Sequence, residues 1–503
     1  MYKLSEHQAT TAQSSIGVLS DLWSFFYTNI KQISAIFITY MVTILSIGIV
    51  NYPYIDDVGR QVSGSTGFAS SYARYFSEYS SYLVQGSHHL TDLGLTTFIL
   101  SAVIMSIVSV LVLFLIFDGK RITWISALTS VLLGINPWFL EALSFRFDSP
   151  YICLSVLVSV IPFLFYKKNT VHYFLISTIC IFLMCNAYQA SSGIYPVMLL
   201  SLVFKDLIQN TNILDSLKKV GISIAAYGAA MAMFFVEMSF NPQLQERGTN
   251  TTLATLSDMP NAITENYRVY FQTLYNQSAK VWILLLFLAV LLFVFQFLLI
   301  DKQIKSFFYS IIYIVIGAYL SYGVYAAFAR HLAADRPRYA YGFAFFITLA
   351  LIMSGKRINN YYFKLPRNII LGLLVYYMCS FSFTYSTALA AQKDSFELQS
   401  TILAQDLSKY NKSNSAIYIN KFFNDSPIFK NTAVNYPILS ALVPSNSDLY
   451  WPNLMWFNNL TQLNASFTPL GPGVVDQSKL KLLVSNQYYD IYQQDKKLFV
   501  FMK

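Results

Sequence analysis

The sequence predicts a polytopic α-helical membrane protein of about eleven transmembrane helices with a small extracytoplasmic α+β domain at its C-terminal end. Three observations predict it. Of the 503 residues, 55% are hydrophobic and 17% aromatic, only 12% are charged, and the mean hydropathy is +0.47; an ordinary soluble domain carries roughly 25% charge. Apolar runs recur that match the about 20 helical residues needed to cross a ~30 Å hydrocarbon core. Lysines concentrate at alternate connections between those runs, as an oriented membrane protein requires.

The runs lie near 32–50, 95–117, 122–138, 150–166, 171–187, 193–209, 220–239, 280–300, 306–328, 339–354 and 368–390. Between about 122 and 210 they are short and parted by brief polar breaks. Lys3, Lys31, Lys120, Arg121, Lys167, Lys168, Lys205, Lys218, Lys219, Lys302, Lys305, Lys356, Arg357, Lys364 and Arg367 fall on one side, which the charge rule makes the cytoplasm. The other loops use Arg: Arg60, Arg74, Arg146, Arg247, Arg268, Arg330, Arg336 and Arg338, with Lys280 at a helix mouth. Lysine is an adequate point charge for orienting a helix, whereas arginine offers a planar fork suited to phosphate or carboxylate. As a set, these arginines suggest an anion-handling site on the outer face; the alternative for each is a local acidic partner.

Residues 1–31 are then a cytoplasmic segment, 32–390 a membrane domain with external loops 51–93 and 240–279, and 391–503 an extracytoplasmic domain. The first segment is too polar and too long for a signal n-region, so the first span reads as a retained anchor. The formal net charge of +9 follows from this topology and does not imply nucleic acid. Cys153, Cys180, Cys185 and Cys379 all fall in spans, leaving no disulfide framework. The sequons at Asn250, Asn276, Asn411, Asn459 and Asn464 are uninformative by themselves. No internal repeat or low-complexity stretch is evident.

In the first external loop Tyr72, Tyr75, Phe76, Tyr79 and Leu83 recur at helical spacing, opposite Arg74, Glu78, Ser81 and Gln85. This reads as an amphipathic helix in the membrane interface, where tyrosine is favoured; a soluble helix packed on the protein is the alternative. In the tail, "AIYINKFF" from Ala416 and "KLLVSNQYYDIYQQDKKLFVFMK" from Lys481 suggest short strands and a terminal hairpin between Pro/Asn/Ser-rich connections.

Carboxylates near span ends are costly, about 2.5–3.5 kcal/mol each on insertion scales, so they have partners or tasks. In "NYPYIDDVGRQVSG", Asp56 and Asp57 follow the first span. One can face a cleft while the other binds Arg60; equally, Asp56 can cap a short helix and pair with Arg60 four residues on. In "NPWFLEALSFRFDSP", Glu141, Arg146 and Asp148 are bracketed by aromatics that keep the loop at the membrane rim, and Arg146 can be held rigidly between two acids; the alternative is a self-contained salt bridge that fixes a re-entrant turn. In "ARHLAADRPRYAYG", Arg330, His331, Arg336 and Arg338 oppose only Asp335, a cationic patch that could grip lipid phosphates generally or one specific headgroup.

Together, "YIDDVGR", "NPWFLEALSFRFDSP", "AYQASSG" at Ala187–Gly193 and "RPRYAYG" resemble, in order, the bacterial serotype-converting O-antigen glucosyltransferases of the Gtr type II family. "FLEALSFRFDS" is the most specific part, and the tail matches only in kind. The resemblance implies a GT-C-class enzyme of the bacterial cytoplasmic (inner) membrane, N-terminus cytoplasmic and C-terminal domain outside. It implies transfer of a glucosyl or other hexosyl group, with inversion, from a polyprenyl-phosphate donor such as undecaprenyl-phosphate-glucose to a hydroxyl of a surface polysaccharide or its lipid-linked precursor. An acid of the first external loop is the usual base, which maps onto Asp56 or Asp57. Arg336 and Arg338, with Arg146 or Arg74 as alternates, would stabilise the departing phosphate, supported by Arg60, Glu141 and Asp148. Dependence on a donor synthase and a donor flippase is implied by the resemblance alone.

No cofactor is expected. His88 and His89 with Asp92 lack a third ligand set by spacing, so no divalent metal is expected. Nothing resembles a nucleotide-phosphate loop, and no long cytoplasmic domain exists to hold a nucleotide sugar. The rival class is a lipid or oligosaccharide transporter, which commonly shows internal repeats and helices broken near the midplane; neither is evident in the sequence. A polysaccharide polymerase or acyltransferase shares the span count.

Overall fold

The computed structural model describes residues 17–209, 211–241, 253–299, 303–357, 361–410, 416–471 and 477–503. The readings at residues 1–16, including Lys3, and at Arg247, Asn250, Lys302 and Asn411 lie outside the described residues, as do those on the side chains of Asp335, Lys356 and Arg357. Two compact units divide the chain: residues 1–49 with 65–383, and residues 50–64 with 384–503.

The first unit is helical. Seven helices among the described residues are long and apolar enough to cross a membrane: Ile30–Val50, Thr96–Phe117, Gln189–Ile208, Ile213–Ser239, Lys280–Leu299, Pro337–Gly355 and Tyr362–Tyr410. An eighth candidate is a pair, Trp124–Leu133 and Pro137–Ser144, bent by 57°. Ser149–Phe165, Thr170–Cys185 and Ile304–Leu320 are shorter apolar helices. Every expected run is therefore helical, but three are short of the length that defines a span. The short ones lie where the sequence already showed cramped spacing or, at Ile304–Leu320, where the chain breaks before Tyr322.

Caps mark these starts. Thr123, Asn136, Asn169 and Asn212 each accept a backbone N–H of their own first turn, satisfying one of the donors a helix leaves unpaired. Asn136 is followed by Pro137 at the first helical position, so the bend at Gly134–Asn136 is encoded by a cap and a proline. The bent pair is almost wholly buried, whereas four fifths of the Ile213–Ser239 window faces outward.

Three helix breaks, at Asn186–Gly193, Ser321–Phe328 and Arg336–Tyr341, meet inside this unit. A Cβ at Gly193 or at Gly342 would collide with the Ser321 carbonyl oxygen. Gly323 has φ +62°, and Val324 N–H donates to Ser192 Oγ at 3.1 Å. Non-helical backbone in a membrane protein must find its partners within the protein, and only glycine lets three chains approach this closely.

The segment after Ser65 departs from a single amphipathic helix over Tyr72–Leu83. Phe68–Tyr72 and Tyr75–Gln85 are separate helices, because Ala73 takes a left-handed conformation at φ 52°. Ser77 and Ser81 are buried while Tyr79 and Leu83 face outward, so the helix packs by its small polar face.

The second unit joins residues 50–64 to the C-terminal segment, so the expected external loop 51–93 is divided between the units and the boundary falls at Thr384. Its sheet contains β1 (Ala416–Ile419), β2 (Phe467–Pro469), β3 (Lys481–Ser485), β4 (Tyr489–Gln494) and β5 (Lys497–Met502), in the order β2-β1-β5-β4-β3. The expected terminal hairpin is β4–β5, turning at Asp495 with φ 51°. Phe396 stacks on Trp456 at 4.0 Å, and Tyr52 meets the same indole edge-on at 5.3 Å.

The glycine contacts generate a test. Gly193→Ala and Gly342→Ala should each lower the unfolding midpoint in detergent, by overpacking of about 1–3 kcal/mol. Gly221→Ala and Gly228→Ala, where a Cβ meets nothing within 4 Å, should not. Equal midpoints for all four would refute the three-way contact.

Candidate functional site

Charged residues of the loop "NPWFLEALSFRFDSP" do not form the self-contained bridge that their spacing suggests. Each takes a partner from a different, distant segment. Glu141, fully buried in Pro137–Ser144, accepts Arg338 N–H at Oε2 (2.8 Å) and Arg338 Nη1 at Oε1 (2.7 Å). Arg146 Nε lies 2.9 Å from Asp92 Oδ1. Asp148 Oδ1 lies 3.7 Å from Arg74 Nη1.

The arginines are also packed on rings. Arg338 sits over Phe145 (4.8 Å) and Tyr339 (5.3 Å), and Arg74 lies over Tyr72 (4.8 Å) and Tyr188 (4.7 Å). Guanidinium on an aromatic face is worth about 0.5–2 kcal/mol and fixes the plane of the fork. Tyr188 belongs to the Asn186–Gly193 break. That break is tied to the Arg74 segment by Phe76 N–H to Asn186 O (3.0 Å), Ser77 Oγ to Ala187 O (3.0 Å) and Gln189 Nε2 to Tyr72 O (3.3 Å). Burial pushes the Tyr188 hydroxyl pKa up, and the charge of Arg338, then that of Arg74, opposes it. Tyr325 packs edge-on against Tyr339 at 5.1 Å, completing an aromatic lining.

Arg338, Arg74, Glu141 and Asp148 are thus brought together around Tyr188, with Arg146 held from the same loop. Arg336, in extended backbone before Pro337, is half-buried, and among the described residues no carboxylate pairs with it. Tyr188 and Asp92 were not singled out as site residues; the only sequence signal was their place beside "ASSG" and after a His pair. His88 packs against Tyr82 at 4.4 Å with the rings tilted by 59°.

Asp56, Asp57 and Arg60 belong to the second unit. Asp57 starts the helix Asp57–Ser63 fully buried, and its Oδ2 accepts Tyr54 N–H at 3.3 Å. Asp56 Oδ2 lies 3.7 Å from Arg60 Nη2, the i,i+4 pair that the capping alternative expects, but the Asp56 side chain makes no cap hydrogen bond and is 32% exposed. Ile55 is left-handed at φ 48°, a strained conformation for a β-branched residue that costs on the order of 1–3 kcal/mol. Tyr54 Oη to Leu442 O (2.6 Å) and Asn459 Nδ2 to Val58 O (3.2 Å) hold it.

Comparison with known proteins places this arrangement. The family described as "Glucosyl transferase GtrII" matches residues 45–349, about three fifths of the chain and about four fifths of the first unit. The chain belongs to the GtrII glucosyltransferase family. It is also 26% identical over 196 residues to an uncharacterized 55.3 kDa protein in the gtrB 5' region of Salmonella phage P22. That likeness covers 37% of this chain and 40% of the phage protein. The Glu141, Arg146, Asp148, Arg74, Arg336 and Arg338 positions all fall within the GtrII match; most of the second unit lies beyond it.

Two expectations follow. Glu141→Ala should destabilise the protein by about 3–5 kcal/mol, since it strips a buried charge pair of one partner. Combining it with Arg338→Leu should cost less than the sum of the single changes in thermal unfolding; strict additivity would show that the pair is not coupled.

Glu78 gives a pH test. Burial raises its pKa, but hydrogen bonds from Tyr82, Thr66, Ala69 and Phe68 outweigh that and hold it below the ordinary 4.5. A lowered folded pKa stabilises above the unfolded value and is lost as pH falls through the folded one. Glu78→Gln should therefore speed hydrogen exchange at Ala69 at pH 7, with the difference from wild type closing as pH falls below 4.5. A difference that persists unchanged at pH 2.5 would contradict it.

Proposed function

We propose that this GtrII family member transfers a glucosyl or related hexosyl group from a polyprenyl-phosphate donor to a hydroxyl of an O-antigen-type surface polysaccharide. The reaction runs on the outer side of the bacterial cytoplasmic membrane, through about eleven spans with the C-terminal region outside, and inverts the anomeric centre. The donor is the lipid-linked sugar itself, and no metal or other cofactor takes part. A donor synthase and a donor flippase supply it.

The observation that carries this reading is the Glu141–Arg338 and Asp148–Arg74 cluster inside the family match. Guanidinium groups whose planes are fixed before the ligand arrives stabilise a phosphate that gains charge on leaving, with little reorganisation. Arg336, which has no carboxylate partner among the described residues, supplies charge that the pairs do not cancel. The sugar hydroxyl's proton goes to a carboxylate of the Asp56–Asp57 pair, a role that rests on the family pattern. The bond from the anomeric carbon to the phosphate oxygen breaks as the acceptor oxygen attacks that carbon from the opposite face, and polyprenyl phosphate leaves with the oxygen. Of the two acids, Asp56 is the accessible one, whereas Asp57 is engaged inside its own unit.

The test is transfer of labelled sugar from undecaprenyl-phosphate-glucose to polysaccharide by membranes at matched protein level. Asp56→Asn should lose about 10²-fold or more, the range of a positioned base. Asp57→Asn should instead lower the folded yield. Near wild-type transfer by both would remove the pair from the mechanism, and no transfer by wild type from any polyprenyl-phosphate hexose would overturn the reading.

A further inference from the structure

Buried polar atoms without a hydrogen-bond partner are rare in native proteins, and each asks for a cause. Three of them sit on one junction: Tyr188 Oη, Arg74 Nε and Asn186 Oδ1. The junction is otherwise fully bonded. Asn186 Nδ2 donates to Glu237 at 2.6 Å, its carbonyl accepts Phe76 N–H, and Arg74 holds Asp148. Neighbouring hydroxyls are satisfied too: Tyr341 Oη bonds Ser191 Oγ, and Ser191 Oγ bonds Ser155 Oγ. The unpaired donors are those of Tyr188 and Arg74, and the one unpaired acceptor there is Asn186 Oδ1.

A phenol with no acceptor, 2% exposed and 4.7 Å from a guanidinium whose Nε also lacks one, presents two unpaired donors, while Asp148 engages the same guanidinium at Nη1, 3.7 Å away. We propose that Tyr188 is a ligand of the donor phosphate: its hydroxyl and Arg74 Nε–H donate to a phosphoryl oxygen that the two arginine clamps hold. This rests on the glycosyl-transfer reading and deepens it. Arg74 covers the tyrosine ring, so a shift of that side chain opens the hydroxyl to the phosphate. No proton is transferred at Tyr188. The hydrogen bond strengthens as the diester becomes a monoester dianion, which places its effect on the chemical step more than on ground-state binding.

Tyr188→Phe separates this from a packing role. Removing a buried hydroxyl that bonds nothing should leave the unfolding midpoint unchanged or slightly raised, because an unpaired polar atom is costly to bury. Binding is measured on purified protein in detergent, with a short-chain polyprenyl phosphate and separately with inorganic phosphate. Wild type should bind the lipid phosphate, and Tyr188→Phe should weaken that about tenfold, the size of one lost hydrogen bond to a charged group. In transfer assays the variant's kcat should fall by at least that factor while KM moves less. Weakening with the lipid phosphate alone, or with both phosphates, supports the site; the first outcome shows that the lipid chain helps fix the ligand there. Equal binding and kcat for Tyr188→Phe and wild type, or a lowered midpoint that accounts for the loss, overturns it. If Tyr188→Phe matches wild type while wild type transfers sugar, only this inference falls. If wild type binds lipid phosphate through Tyr188 but transfers nothing, the transfer reading falls instead.

Discussion

Everything charged in the loop from Asn136 to Pro150 points away from that loop. Glu141 reaches Arg338, Arg146 reaches Asp92 and Asp148 reaches Arg74, so one short stretch fastens three separate segments of the first unit. Burying charge is expensive and is tolerated when geometry and hydrogen bonds are complete. The Glu141 carboxylate meets that condition with both oxygens, one on the backbone and one on the side chain of the same residue. Such a clamp sets where Arg338 stands as well as where it points. The glycines at 193, 323 and 342 are the complementary device, since they let the broken helices come close enough for these pairs to form.

Anchoring and the proposed binding are different tasks, and the arginines differ in how they are held. Arg146 is spent on Asp92, and its position holds the loop. Arg338 and Arg74 are paired and also stacked on aromatic rings, which leaves their planes fixed but their remaining donors directed by the rings. Arg336 has neither constraint among the described residues. A site that must grip a phosphate more tightly after bond cleavage gains from fixed donors, because mobile ones would spend part of the interaction on becoming ordered.

Hydropathy made the helices legible, because a ~30 Å apolar layer imposes a length that composition alone reveals. It failed where helices are surrounded by protein instead of lipid. The Trp124–Ser144 pair and the helix from Ser149 need no full span length, since their neighbours complete the burial. The break at Ala73 was invisible because alanine carries no signal for a left-handed conformation, unlike Gly64 or Gly86. At the site, residue types and segments were legible: acids and arginines at span ends must have partners. The identity of those partners was not. Arg146 lies five residues from Glu141 and two from Asp148, yet Pro137–Ser144 directs Glu141 elsewhere and Asp148 precedes a new helix. Tyr188 escaped notice for the same reason, since one tyrosine among 37 is marked only by lacking a partner.

Helix breaks complicate the contest between an enzyme and a transporter. Their absence from the sequence pattern weighed against transport, and the structure contains them, at Gly134–Asn136, Asn186–Gly193 and Ser321–Phe328. That criterion no longer separates the two. What does separate them is how the breaks are fastened. Alternating access needs one bundle to rock against another around a site, so the elements bearing the site must change partners. Here the breaks at Asn186–Gly193 and Ser321–Phe328 meet through backbone contacts that only glycine permits, and Glu141 locks Arg338 by its main chain as well as its guanidinium. Packed backbones of this kind are not continuously deformable. Rigidly held, preorganised charge is what group transfer requires, and together with membership of the GtrII family it favours catalysis over passage.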